Sequence, residues 1–224
     1  LPLFKLSKPM KVNRNRFSVF NLPAGFTCPG RTAICSEACY AAKNRAVFDC
    51  VTDVQVHNYR LLEFFENHYS TDPEVSAQAA ADHMLRTMPA NLTEFRWHSS
   101  GDIYNQWYAR VIGMVAIGRP ALPFWLYTRS FDLDLTGLVA LPNFQLWLST
   151  DPDNFVDAMQ LQTNLGRNQV RLAWGPWDHD DEQPENTFHC PAVTGHIPVR
   201  NACANCRLCV EKGRVKKDIV FLAH

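Results

Sequence analysis

The chain has 224 residues, a length suited to one large domain or one domain with a small appendage, and its apolar share of 46% with six tryptophans allows a sizeable core. Its 22 basic and 22 acidic residues cancel, which excludes a global basic field as the means of holding nucleic acid and leaves only a local patch. No stretch approaches the roughly 20 apolar residues needed to span a bilayer, so no membrane partner is expected.

No charged-then-apolar signal segment opens the chain. It begins at Leu1, which leaves the natural N-terminus open. Phe17-Ser18-Val19-Phe20 reads as a first strand. Cys28, Cys35 and Cys39 follow in a C-x6-C-x3-C loop, ahead of a helix that begins near Ser36. Cys50 stands apart from the other cysteines and reads as a buried free thiol. From Thr52 to Tyr69 the spacing of Leu61, Leu62, Phe65 and Tyr69 predicts a helix with one apolar face. Asp72-Pro73 supplies an N-cap and a proline at the first helical position, opening a helix to about Met88.

Four later segments share one design: a short apolar run that stops abruptly in small polar or charged residues. Phe95-Arg96-Trp97-His98 runs into Ser99-Ser100-Gly101-Asp102, and Phe124-Trp125-Leu126-Tyr127 into Thr128-Arg129-Ser130. Gln145-Leu146-Trp147-Leu148 runs into Ser149-Thr150-Asp151, and Val170-Arg171-Leu172-Ala173-Trp174 into Gly175-Pro176. They predict parallel strands at 94–98, 124–128, 145–149 and 170–174. Tyr104, Tyr108, Val111 and Val115 mark an intervening helix, and Asp151-Pro152 repeats the capping signature before Phe155 and Met159. Asp218-Ile219-Val220-Phe221-Leu222 is a candidate last strand.

Strands alternating with helices predict an α/β fold: a partial parallel (βα) barrel, or an open parallel sheet, with a cysteine-rich C-terminal extension. The expected division is a βα iron–sulfur domain over 1–185 and a cysteine-rich segment over 186–224 packed on it. The polar residues fall after the strands, the edge where such sheets bind ligands. Read singly, each of these loops serves only to turn the chain and cap a helix. The acidic run Asp178-His179-Asp180-Asp181-Glu182 reads as a solvated loop without diagnostic metal spacing. The tryptophans are mostly core candidates.

Seven of the eight cysteines fall into two groups. The second is Cys203, Cys206 and Cys209, with Cys190-Pro191 upstream. C-x2-C-x2-C is the front of a bacterial iron–sulfur run whose remaining cysteine precedes proline, and Cys190-Pro191 could supply that partner. Clustered thiolates repel one another until a metal or cluster neutralises them, so the expected cofactor is one or two iron–sulfur clusters of the [4Fe-4S] type. Zinc at the C-terminal cysteines is the alternative, although zinc ribbons use two separate C-x2-C pairs. A disulfide framework belongs to smaller, loop-rich secreted domains, so a reducing cytoplasm is expected. Three cysteines leave one iron of a cubane open, and His98 is a candidate fourth ligand, or else an ordinary hydrogen-bonding histidine. Arg96, Arg129 and Arg171 could grip a carboxylate or phosphate; their plainer role is pairing with Asp102, Asp151 or Asp178.

Cys28, Cys35, Cys39-Tyr40-Ala41, Ser100-Gly101-Asp102, Tyr127-Thr128-Arg129 and the terminal cysteines together resemble an actinobacteriophage family labelled gene product eighty-eight. That resemblance spans the whole chain and implies a phage protein in the host cytoplasm, without implying a reaction. A more distant likeness is to the radical S-adenosylmethionine enzymes, which carry a three-cysteine loop after the first barrel strand. There the last cysteine adjoins an aromatic, as Cys39-Tyr40 does. Their second strand ends in Gly-Gly-Glu, where Ser100-Gly101-Asp102 stands here, and a later one in Ser-x-Asp, like Ser149-Thr150-Asp151. The usual cysteine spacing is C-x3-C-x2-C, which this loop departs from, and Asp replaces Glu. The likeness implies S-adenosylmethionine held by Ser100, Gly101 and Asp102, with Arg129 on its carboxylate or on a phosphate. The competing expectation is a noncatalytic binding protein whose clusters or zinc ions only hold the fold, contacting a host protein or nucleic acid.

Overall fold

The short apolar runs bounded by turn formers become strands: β2 (Asn15–Phe20), β3 (Glu94–Trp97), β4 (Phe124–Thr128), β5 (Phe144–Thr150), β6 (Val170–Trp177) and β8 (Asp218–Leu222). Two three-residue strands complete the set, β1 (Met10–Val12) and β7 (Thr187–His189). Three residues cannot show an alternating pattern, so neither is visible in the sequence. This computed structural model describes residues 1–8, 10–12, 15–43, 48–177, 184–197 and 202–222.

All eight strands join one sheet in the order β1-β2-β3-β4-β5-β6-β8-β7. The pairings from β2 through to β7 are parallel, and β1 folds back antiparallel on β2. The four expected central strands are adjacent and in register, with Trp97 opposite Leu126, Leu126 opposite Leu146, and Leu148 opposite Leu172. Consecutive strands as neighbours, with crossovers between them, give an open, mainly parallel α/β sheet, an order consistent with a partial (βα) barrel. The segment 186–224 contributes β7 and β8 to this same sheet.

The crossovers are α2 (Asp49–Phe64, continued by a π-helical turn Phe65–Tyr69), α3 (Pro73–Thr87), α4 (Gln106–Gly118), α5 (Thr136–Ala140) and α6 (Phe155–Leu165). A shorter α1 (Ala33–Ala38) follows β2, and α7 (Ala202–Cys206) precedes β8. Asp72 caps α3 as expected, accepting from Glu74 N at 2.8 Å. Asn105 caps α4 through Tyr108 N at 2.9 Å, so that helix starts after Tyr104.

Two expectations need correction. Asp151-Pro152 does not cap α6, which starts at Phe155 after Asn154; Asp151 is buried and paired with Arg129 instead. Cys50 is exposed rather than buried, because it lies in the first turn of α2, away from the Leu61 and Leu62 that face the core.

Side chains alternate across the strands. Phe95, Trp97, Phe124, Leu126, Phe144, Leu146 and Leu172 pack against Leu62, Ala81, Met84, Tyr108, Val111 and Val115 of the helices. Their neighbours Phe17, Val19, Trp125, Trp147, Ala173 and Ile219 point to the other face, where Ala204, Cys209, Val210 and Cys190 of the C-terminal segment cover them. The sheet thus has helices on one face and the cysteine-rich segment on the other.

Candidate functional site

At the ends of the parallel strands, and running onto the face under the C-terminal segment, lies a cavity of about 470 Å³. That volume is in the range of small-molecule sites. The loop after β2 contributes Cys28, Cys35 and Cys39, the loop after β3 contributes His98 to Asp102, β4 contributes Tyr127 and the loop after it Arg129. The C-terminal segment contributes Cys190, Cys203, Cys206 and Cys209. Both cysteine groups therefore line one cavity. All eight cysteines carry free thiols in this structure.

The first group is held by close packing of its loop on neighbouring strand ends. Thr32 caps α1, accepting from Cys35 N at 2.9 Å and donating to Asp151 Oδ2 at 2.7 Å. Gly30 lies so close to the Arg129 carbonyl that any Cβ there would overlap it. Burial pushes the Cys28 thiol up to about 11, and the Asp102 carboxyl and the other two cysteines add to that rise. Burial also raises Cys35, an effect that the Arg129 guanidinium opposes. The backbone of Gly25 opposes the rise at Cys28.

The second group is pinned to the sheet from several sides. Arg207 pairs with the fully buried Glu94 at the start of β3, Nε to Oε2 at 2.9 Å. Asn15 Nδ2 donates to Ala204 O at 2.9 Å, and Trp147 Nε1 donates to Cys209 O at 3.0 Å. Cys190 N donates to Val220 O at 2.9 Å, which fixes Cys190 just past β7. Burial raises Cys190, which the backbone of Ala192 and Val193 opposes; burial also pushes Cys209 up to about 12, which the Tyr127 hydroxyl opposes while Cys203, Cys190 and Cys206 add to it.

Ser100, Gly101, Asp102 and Arg129 all line the cavity, and the polar side chains among them are already engaged. Asp102 Oδ1 accepts from Ile103 N at 2.7 Å and Oδ2 from Arg129 N at 2.8 Å, tying the loop after β3 to that after β4. Burial pushes its carboxyl up to about 6 despite those donors. Ser100 Oγ donates to Leu22 O at 2.9 Å. Arg129 Nη2 donates to Asp151 Oδ2 and Gly175 O, both at 2.9 Å. Gly101 has φ +82, and a Cβ there would lie 2.6 Å from Thr27 Oγ1, so only glycine suits this turn.

His98 is buried and hydrogen-bonds through Nε2 to the Tyr108 hydroxyl at 2.9 Å. Burial and the neighbouring Arg96 push its pKa down to about 3, so its ring is neutral. Arg171 is spent on backbone, with Nε donating to Val215 O at 3.1 Å. Arg96 differs from the other two arginines. Its Nε donates to His98 O at 3.0 Å, and its guanidinium lies 5.4 Å from the Tyr127 ring centroid. Among the described residues it has no carboxylate partner. The run 178–182 lies outside the described residues.

Among the described residues, no three His, Cys, Asp or Glu side chains come together tightly enough to hold a single metal ion. Sequence reasoning missed Tyr127 as a cavity residue and the Glu94–Arg207 pair. Glu94 leads into an apolar strand and Arg207 separates two cysteines, so each carries a weak local signal, and nothing in the sequence pairs them.

The gene product 88 family model matches residues 4–212. The chain is 32% identical over 197 residues to the gene 88 protein of Mycobacterium phage L5, covering 85% of this chain and 80% of the relative. It is 29% identical over 205 residues to the gene 88 protein of Mycobacterium phage D29, covering 88% and 82%. No solved structure matches it significantly. With nearly its whole length matched to the family, the chain belongs to the gene product 88 family of mycobacteriophage proteins.

Proposed function

We propose that this protein binds an iron–sulfur cluster through Cys28, Cys35 and Cys39, and that the cluster's uncommitted iron faces the cavity and takes a small polar ligand there. The observation that carries the reading is the convergence of seven cysteines on one cavity at the strand ends. Burial and mutual repulsion push these thiols up in pKa, so they stay neutral without a metal, and a cationic iron core would draw them to the thiolate form. Arg31, Lys43, Arg96, Arg129 and Arg207 line the same cavity against a lone carboxylate lining residue, Asp102, a setting suited to an anionic thiolate-bound cluster.

S-adenosylmethionine is the candidate ligand drawn from the distant likeness to radical enzymes, with Ser100, Gly101, Asp102 and Arg129 beside it. A second reading takes support from the polar groups of Ser100, Asp102 and Arg129, which are spent on loop-to-loop bonds. In that reading the cluster only fastens the strand ends together.

The test is anaerobic purification with iron, acid-labile sulfide and zinc analysis. A brown protein that loses one cluster on Cys35→Ala or Cys39→Ala is expected. Colourless protein with stoichiometric zinc and no sulfide would overturn the reading. Adding millimolar S-adenosylmethionine to the reduced protein, read by electron paramagnetic resonance, separates the two accounts, since an unchanged signal leaves the fastening role.

A further inference from the structure

Arg96 lies on β3 between Phe95 and Trp97, which pack on the helix side of the sheet. Alternation sends its side chain to the opposite face, where the guanidinium lies over the Tyr127 ring at 5.4 Å. The strand ends one residue later, and His98 takes φ +57. A non-glycine residue holds that left-handed conformation only where its surroundings enforce it. Here His98 N donates to Phe20 O at 2.9 Å, and its ring bonds the Tyr108 hydroxyl at 2.9 Å. The carbonyl of this fixed turn accepts from Arg96 Nε at 3.0 Å. A backbone acceptor and an aromatic ring therefore set the guanidinium in place before any ligand arrives, which lowers the cost of binding one.

Charge is left over at this point. Arg129 has Asp151 and Arg207 has Glu94, but Arg96 has no carboxylate partner among the described residues. Arg31 and Lys43 are exposed, line the same cavity and likewise lack such a partner among the described residues. The one carboxylate of the lining, Asp102, is taken up by Ile103 N and Arg129 N. On the face that carries Arg96 the wall is otherwise apolar and aromatic. Trp125, Ala173 and Ile219 are buried there, and Tyr127 meets Phe221 edge-on with centroids 5.6 Å apart.

We propose that this cavity binds a small organic phosphate monoester, with the phosphate on Arg96 and the apolar or aromatic body against Tyr127 and Phe221. A guanidinium fork matches phosphate oxygens, and a phosphate monoester carries close to two negative charges at neutral pH, against one on a carboxylate. Arg31 and Lys43 add to the field that favours the more highly charged head. The proposal rests on the function proposed above only in taking the cavity as a ligand site. No cysteine and no metal enters it.

The experiment is isothermal titration calorimetry on the full chain at low salt, in a buffer free of phosphate and sulfate. The probes are phenyl phosphate, inorganic phosphate and benzoate. Phenyl phosphate should bind tightest, since inorganic phosphate leaves the apolar wall uncovered and benzoate carries a single charge. Arg96→Gln should weaken phenyl phosphate about tenfold or more. Arg31→Gln/Lys43→Gln should narrow the gap between phenyl phosphate and benzoate. Arg110→Gln, at an exposed arginine outside the cavity, should change nothing. No binding of millimolar phenyl phosphate would overturn the proposal. So would benzoate or inorganic phosphate binding as tightly as phenyl phosphate, or Arg96→Gln binding like the wild type. Should Arg96→Gln fail to fold, the ranking of the three probes on the wild type and the Arg31→Gln/Lys43→Gln variant still decide the matter. Iron and sulfide are measured on the same samples. Protein without iron that binds phenyl phosphate keeps this inference and removes the cluster, and iron-loaded protein that ignores phenyl phosphate does the reverse.

Discussion

Replacing Arg207 by alanine strips the partner from a carboxylate that has no access to water. Glu94 is fully buried, while the Arg207 side chain keeps 26% exposure. Burial raises the Glu94 pKa, and Arg207 pulls it back down. Breaking a buried ion pair by removing one partner costs about 3–5 kcal/mol, because the other charge is left uncompensated. The partial exposure of Arg207 places this case at the lower end, about 3 kcal/mol. For a chain of this size that corresponds to a fall in Tm of about 6–12 °C. Removing Arg207 also raises the folded-state pKa of Glu94 further above its unfolded value. A group raised in that way loses its stabilising effect as pH rises through the folded pKa, so the penalty should be larger at pH 7 than at pH 5. The assay is thermal unfolding by circular dichroism under reducing, anaerobic conditions, at both pH values. Arg207→Ala/Glu94→Gln should recover part of the loss, since no unpaired charge then remains buried. A loss under about 1 kcal/mol, or one independent of pH and unrelieved in the double variant, would refute the reasoning.

Gly30→Ala should displace the first cysteine loop, since its Cβ would overlap the backbone carbonyl of Arg129 and no side-chain rotation can relieve that contact. Reduced iron retention together with a lower Tm is the expected result, and wild-type behaviour in both would count against the packing described. His98 predicts acid sensitivity. Its folded pKa of about 3 lies well below the ordinary 6.5, so stability is present above 6.5 and is lost as pH falls toward 3. The loss from this group is about 2 kcal/mol by pH 5. His98→Gln should flatten the dependence of Tm on pH between 7 and 5, and an unaltered slope would show that other groups carry it.

The strand and helix pattern was legible because it rests on local chemistry. The runs ending at Trp97, Thr128 and Thr150 are short, apolar and bounded by turn formers, and an abrupt polar ending marks the edge of a parallel sheet; β6 instead continues through the expected stop at Gly175-Pro176 to Trp177. Asp72-Pro73 is a cap in sequence and in structure for the same local reason. Where a residue had two local uses, the sequence could not choose between them. Asp151 ahead of Pro152 has the form of a helix cap, yet it is buried and the half-buried Arg129 and Thr32 claim its carboxylate from distant loops. Cys50 is of a residue type common in cores, yet it stands in the first turn of α2, beyond the part of that helix that meets the core.

The amino-acid sequence by itself determined the two cysteine groups, the alternation of strands with helices, and the collection of polar residues after the strands. Only the tertiary structure decided that both cysteine groups share one cavity. Residues far apart in the chain meet there because parallel pairing aligns the strand ends, while β7 and β8 bring the C-terminal segment onto the sheet face opposite the helices. Two-residue periodicity distinguishes the faces of a strand but does not reveal what covers each face. The Glu94–Arg207 pair, the Trp147 bond to Cys209 and the placing of Arg96 over the Tyr127 ring depend on long-range contacts, and therefore on the fold as a whole.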